Sequence, residues 1–399
     1  MNEKELDKLL SLDEELNENI NTDVHSMDDE REALHSDTMD REIALTKKLK
    51  RTMDKQINKK VFRGIFLTIF AAAAFLVCVS FLFDACFYNP MAPSRYHEEV
   101  DPDQYMTVSD FHFLMEIYTG LHFTGKNYIQ VEELSKKEGF GSYKMYAQIQ
   151  DVFEPVSING QGNTVFKMKQ NRFFVENLGD ENHLTRYIGD FYNDSKADEY
   201  GSNDYIKEML SLNEERMNEI EKLPESAVIY ATISFEQSLS MEDVLAFIRK
   251  YPESDFQWIA MDSDVQFMKD TYDGISLSSV FSFDLTEEAM EKYPYLRLNF
   301  LSEDTTGEQL EQCYLSRLQL MYDNPEFLKV VEQESSFYNS DAMRKMKQLE
   351  NRFEEIEEEG LWVIGLYGQI TKADFISMAE QGEMKYAKIK DAKVSVFSK

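Results

Sequence analysis

The sequence is poor in the residues that build catalytic and metal centres: its 399 residues include 3 Cys, 6 His and 2 Trp. Cys78 falls inside an apolar run, Cys86 lies just after it and Cys313 is far downstream. No CxxC pair or disulfide framework can be drawn from that spacing, and nothing supports a bridge between Cys86 and Cys313. His25, His35, His97, His112, His122 and His183 are scattered, and HExxH, GxSxG, P-loop and Cys–His arrangements are all missing. His112 and His122 flank an apolar stretch and read as ordinary helix or core residues, while Trp258 and Trp362 sit in strand-like runs and read as core filling. The sequence therefore assembles no catalytic constellation and asks for no metal or cofactor. Positive charge is also scarce: 42 Lys and Arg stand against 74 Asp and Glu, a net charge of -32. That balance disfavours nucleic-acid binding, which depends on Lys and Arg displacing counterions from phosphates, and no nucleic-acid partner is expected.

One apolar run dominates what is present. Ile65 to Phe83 holds 19 residues without a charge, about 28 Å of helix at 1.5 Å per residue, close to the roughly 30 Å of a bilayer core. Phe87 and Tyr88 follow where interfacial aromatics belong, and Asn89-Pro90 breaks the helix. Lys47, Lys48, Lys50, Arg51, Lys55, Lys59, Lys60 and Arg63 precede the run, against a lone Asp54, whereas Asp84, Glu98, Glu99, Asp101 and Asp103 follow it. The positive-inside rule puts the N-terminus in the cytoplasm and everything after the run on the far side. About 60 residues precede the run, which is far longer than the n-region of a signal peptide.

Residues 1–46 carry 15 Asp or Glu and no aromatic residue, so this stretch cannot bury enough apolar surface to form a core alone. Leu6, Leu9, Leu10, Leu16 and Ile20 nevertheless fall near one face at helical spacing. A second stripe, Met39, Ile43, Thr46, Leu49, Met53 and Ile57, runs into the apolar helix. Such faces suit a segment that folds into a partner's groove, and equally a solvated tail with a basic juxtamembrane helix resting on anionic lipid.

Beyond Pro90 the chain stays acidic. Alternation in 141–152 and 163–177, with turn residues between them, predicts strands in a region that reads as strand-like from 96 to 200. Residues 204–222 read as one amphipathic helix ended by Leu223-Pro224. A faint echo follows: VIYATISF, SMEDVLAFI and FQWIAM, then LWVIGLYGQI, TKADFISMAEQ and YAKIKDAKV, each strand–helix–strand, with Ser240 and Thr371 as helix caps. Helical patterns at 307–323 and 340–360 lie between them, and the acidic cluster Glu354 to Glu359 reads as a solvated face. The expected architecture is an α+β extracytoplasmic domain of helices on a sheet, one transmembrane helix, and a mostly helical or disordered N-terminal cytoplasmic segment. The expected boundaries are 1–60 for the acidic and juxtamembrane part, 61–88 for the membrane helix, 96–222 for a strand-rich region and 223–399 for the α+β domain.

In their order, KKVFRGIFLTIF, FYNP, LPESAVIYATISFEQSLSMEDVLAFI, FQWIAM and LWVIGLYGQIT resemble the bacterial membrane-bound sigma factor regulators. The likeness covers about residues 45–90 and 223–399, and the second stretch is the more specific. It implies a non-enzymatic, single-pass anti-sigma protein, with an N-terminal and a C-terminal regulator domain. Such a protein holds an extracytoplasmic-function sigma factor at the membrane until an envelope signal releases it; the energy that release needs adds the expectation of a protease or a second membrane protein. The Leu6–Ile20 and Met39–Ile57 faces are then the surfaces for the sigma factor. The alternative is a membrane-anchored binding protein for a wall component or peptide, without a transcriptional role.

Overall fold

The computed structural model describes residues 31–97, 109–130, 135–153, 163–177, 191, 204–262, 273–277, 284–296, 304–331 and 342–394. The chain divides into two compact units, Met1–Val77 and Cys78–Lys399. The first is described by one feature, the greater part of helix α1 (Arg31–Cys86). Within α1, Lys59–Leu82 is long and apolar enough to cross a membrane, and none of its most apolar stretch is buried. At about 1.5 Å per residue, a helix of 24 residues measures about 36 Å, enough for a bilayer core. Thr68 is accommodated by donating its hydroxyl back to the Gly64 carbonyl at 2.9 Å.

The second unit contains two antiparallel five-stranded sheets. The first consists of β1 (Lys126–Gln130), β2 (Lys136–Gly139), β3 (Ser142–Asp151), β4 (Asn163–Lys169) and β5 (Arg172–Asn177). Long β3 shares one edge between β1, opposite residues 147–151, and β2, opposite residues 142–144, and pairs with β4 on the other. Its strict alternation buries Tyr143, Met145, Ala147 and Ile149 on one face. That face packs on α2 (Asp110–His122), where Phe111 meets Phe166 and Phe173 at ring distances of 6.1 and 6.0 Å. Helix α2 lies inside the region read from sequence as strand-like. Ser109 starts it by accepting the His112 N–H, and it is buried on nearly every side.

The predicted single helix over 204–222 is two helices, α3 (Asp204–Leu210) and α4 (Glu214–Glu221). Asn213 caps α4 by accepting the Arg216 N–H at 2.9 Å, and Ser211 bridges to Tyr386, so the chain turns between them.

The second sheet is built from β6 (Ala227–Leu239), β7 (Asp255–Met261), β8 (Gly274–Ser276), β9 (Val363–Thr371) and β10 (Met384–Val394), in the order β10-β6-β9-β7-β8. The two strand–helix–strand units expected from sequence are both present, through α5 (Met241–Lys250) and α10 (Lys372–Glu380). Each is split: β9 fills the gap between β6 and β7, and β6 the gap between β9 and β10. Two interlocked split units of this kind form a ferredoxin-like βαββαβ sheet. Ser240 and Thr371 cap the two helices as the sequence predicts, accepting the Asp243 and Asp374 N–H groups.

Between β7 and β9 the chain inserts β8, α6 (Glu287–Lys292), α7 (Gly307–Tyr322), α8 (Pro325–Val331) and α9 (Ala342–Glu359). Trp258 fills the core and donates its indole N–H to the Gly120 carbonyl at 2.8 Å. Trp362 departs from expectation: it is 46% exposed and donates to the Glu359 carbonyl at the end of α9, so it closes a helix and fills no core. Glu354, Glu357, Glu358 and Glu359 form a solvated face, but Glu355 turns aside to the buried Arg352 at 2.8 Å. Cys78, Cys86 and Cys313 are not joined in disulfides.

Candidate functional site at the helix exit

Within the second unit, the residues that follow the apolar run are held by three parts of the fold. Two hairpin turns reach them first. Phe140 and Gly141 link Gly139 to its partner Ser142, and both have positive φ, 52° and 68°. Gln170 and Asn171 link the pair Lys169 and Arg172 with φ of 51° and 61°. These are the conformations of tight two-residue hairpin turns that match strand twist. The Phe140 N–H donates to Ser80 Oγ at 3.1 Å, and the Tyr88 N–H donates to Asn171 Oδ1 at 2.8 Å. Gly141 lies so close to Phe87 that a Cβ there would come within 2.9 Å of the ring.

The third part is the route into the insertion helices. Pro93 bridges to Ser109, the Asp110 N–H donates to the Ala92 carbonyl at 3.0 Å, and Arg95 contacts the Asp110 carboxylate. Tyr96 is buried against Phe113 and Tyr293, His97 bridges to Leu285, and the Thr286 N–H donates to the Tyr96 carbonyl. Asn324 completes the anchorage by binding both the Tyr96 hydroxyl and the Arg95 guanidinium. Residues 87–97 are thus fastened at successive points. Burial pushes the Tyr96 phenol above its ordinary range.

Deeper in the same unit α2 carries buried ionisable groups. His122 Nδ1 lies 2.8 Å from Asp273 Oδ1, and His112 Nδ1 contacts the Tyr128 hydroxyl, so both histidines are core residues, as expected from sequence. Burial lowers His112 to about 3. Glu116 is only part-buried as a residue, but its Oε1 is sealed from solvent and has no hydrogen-bond partner among the described residues. Burial pushes its carboxyl up to about 8 against the pull of Arg317. These groups are polar points in a packed interior.

Of the residues named from sequence, Lys47, Lys48, Lys50, Arg51, Lys55, Lys59, Lys60 and Arg63 all lie on α1 and are exposed. Met39, Ile43, Leu49, Met53 and Ile57 lie on the same helix, and at about 100° per residue they fall within about 120° of arc. Leu49 and Met53 are exposed. Leu6, Leu9, Leu10, Leu16 and Ile20 lie outside the described residues. Sequence reasoning missed Tyr96, Phe140, Asn171 and Asn324; the one readable sign was Gln170-Asn171 between two apolar runs, a turn dipeptide.

No curated protein and no solved structure matches this chain. Residues 220–391, which take in β6 to β9, the helices between them and most of β10, match the sigma factor regulator C-terminal family. That family is regulatory, and the match points to a regulator's role toward a sigma factor. Over that stretch the chain is similar to a sigma factor regulator C-terminal domain.

Proposed function

We propose that the chain is a membrane-anchored anti-sigma factor that sequesters an extracytoplasmic-function sigma factor on its cytoplasmic segment and lets it go when the outer domain meets an envelope signal. The observation that carries this reading is the regulator C-terminal domain at 220–391, downstream of an apolar helix able to span a bilayer. The basic residues Lys47 to Arg63 orient that helix with its N-terminus in the cytoplasm and rest against anionic lipid. Leu6, Leu9, Leu10, Leu16, Ile20, Met39, Ile43, Leu49, Met53 and Ile57 supply the faces that the sigma factor covers. The fastened helix exit at residues 87–97 favours mechanical coupling, because a displacement of the outer domain is not absorbed by a slack tether.

Moving the complex from about 99% held to about 1% held needs roughly 5.5 kcal/mol of differential energy. That is much to send through one helix, so a releasing protease or a second membrane protein completes the step. The test is co-purification of the full chain from host membranes. The sigma factor accompanies the native protein and is lost from the Leu9→Asp, Leu16→Asp variant; recovery of no sigma factor with the native protein contradicts the reading.

A further inference from the structure

The first sheet has an outer face whose composition departs from the rest of this acidic chain. Between residues 136 and 172 there are 6 Lys or Arg and 3 Asp or Glu, the reverse of the overall balance. The strand register gathers the cations. Lys136 stands opposite Lys144, Lys144 opposite Lys167, and Lys167 opposite Phe174, so one row crosses four strands. Lys169 stands between Ser142 and Arg172 in the next row on the same face. Like charges side by side across strands are unfavourable in a fold built for stability alone. With about 3.3 Å per residue, both rows lie within about 10 Å of the hairpin turns.

The first of those turns touches the end of α1, and the second holds Tyr88 just beyond it. Phe140 donates its N–H to Ser80, a residue inside the stretch Lys59–Leu82. Phe140 is 41% exposed and has a φ of 52°, at a turn position that suits Asn or Gly and strains a bulky side chain. A strained aromatic kept at an exposed tip points to a role there. Phe174, 46% exposed, lies in the row of lysines. Cations beside exposed aromatics, at the level where an apolar helix ends, are the composition of a surface that meets lipid headgroups.

We propose that this face is a lipid-binding surface: Phe140 enters the outer membrane interface, and Lys136, Lys144, Lys167, Lys169 and Arg172 hold anionic phospholipid headgroups. The inference rests on the reading of α1 as a membrane span, and it makes the lipid part of what the outer domain senses. An anionic soluble polymer would use the cations but would leave Phe140 in water.

The test uses the full chain reconstituted in phosphatidylcholine vesicles, with and without phosphatidylglycerol. Phe140→Trp and, as a control within the span, Phe70→Trp are compared with the native protein for quenching by brominated lipid. The expected result is that the emission added by Phe140→Trp is largely quenched, more so with phosphatidylglycerol. The increase with phosphatidylglycerol should disappear in a Lys136→Glu, Lys169→Glu, Arg172→Glu background, which changes exposed residues only. Quenching of Phe70→Trp without quenching of Phe140→Trp overturns this inference and leaves the membrane span intact. Absence of quenching at both overturns the span and the inference together. An unchanged response to phosphatidylglycerol after the charge reversals overturns the headgroup assignment.

Discussion

The phenol of Tyr96 and the carboxamide of Asn324 bind each other across 228 residues of sequence, Oδ1 accepting at 3.0 Å and Nδ2 donating at 2.8 Å. Asn324 also donates to the Leu320 carbonyl and accepts from Arg95. This one buried side chain therefore ties the segment leaving α1 to the insertion between β7 and β9. Asn324→Leu leaves the buried Tyr96 hydroxyl without its partner, and the cost is about 1 to 3 kcal/mol. Tyr96→Phe leaves Asn324 its backbone bond and costs less. Thermal unfolding of the full chain in detergent should rank native above Tyr96→Phe above Asn324→Leu; equal midpoints for all three would show that the tie carries no stability.

The buried groups of α2 give the second unit opposite pH responses. The Glu116 carboxyl, raised from an ordinary 4.5 to about 8, binds its proton more tightly folded than unfolded. Its contribution to stability is complete at low pH and is lost as pH rises from about 4.5 to about 8. His112, lowered from 6.5 to about 3, contributes in full above 6.5 and loses that contribution as pH falls. Between pH 6.5 and 8 Glu116 acts without His112, with a slope of up to about 1.4 kcal/mol per unit. Glu116→Gln should flatten the decline in stability over that window in denaturant titrations; an unaltered slope would mean that the carboxyl is ionised in the fold.

Asn171 serves two purposes, taking a φ of 61° and accepting the Tyr88 N–H. Asn171→Gly keeps the turn and loses the acceptor, while Asn171→Ala loses both. Limited proteolysis near residues 87–97 should therefore accelerate from native to Gly to Ala. Equal cleavage rates in the three proteins would remove this turn from the anchorage.

The parts of the fold that sequence made legible are those with a local period or a cap. The alternation of β3, the caps Ser240 and Thr371, and the pattern of α7 each depend on residues a few positions apart. Helix α2 was illegible because Phe111, Leu114, Ile117, Tyr118 and Leu121 are buried together with all the residues between them but Glu116, leaving no polar face to reveal a helical period. The break at Ser211 was hidden because Asn213 acts as a cap only once the chain has turned at β10. The two strand–helix–strand units were visible, but which strand fills each gap is a long-range choice that local pattern does not encode. Tyr96 with Asn324, and the lysine rows of the first sheet, depend on register between distant segments and had no signature along the chain.

Topology follows from the lysine and arginine asymmetry around α1. A reporter active only in the cytoplasm should work when fused before Lys47 and fail when fused after Ser94. The opposite pattern would place the regulator domain in the cytoplasm and remove the basis for envelope sensing.

The central claim is sequestration, and transcription from the sigma-dependent promoter tests it most directly. Burying a Leu contributes about 1.5 to 3 kcal/mol, so introducing Asp at Leu9 and Leu16 should weaken the hold by orders of magnitude. Transcription is predicted to rise in cells carrying Leu9→Asp with Leu16→Asp, and in cells lacking residues 1–46, while the protein still reaches the membrane at normal levels. Unchanged transcription in both, with normal membrane levels, would contradict sequestration.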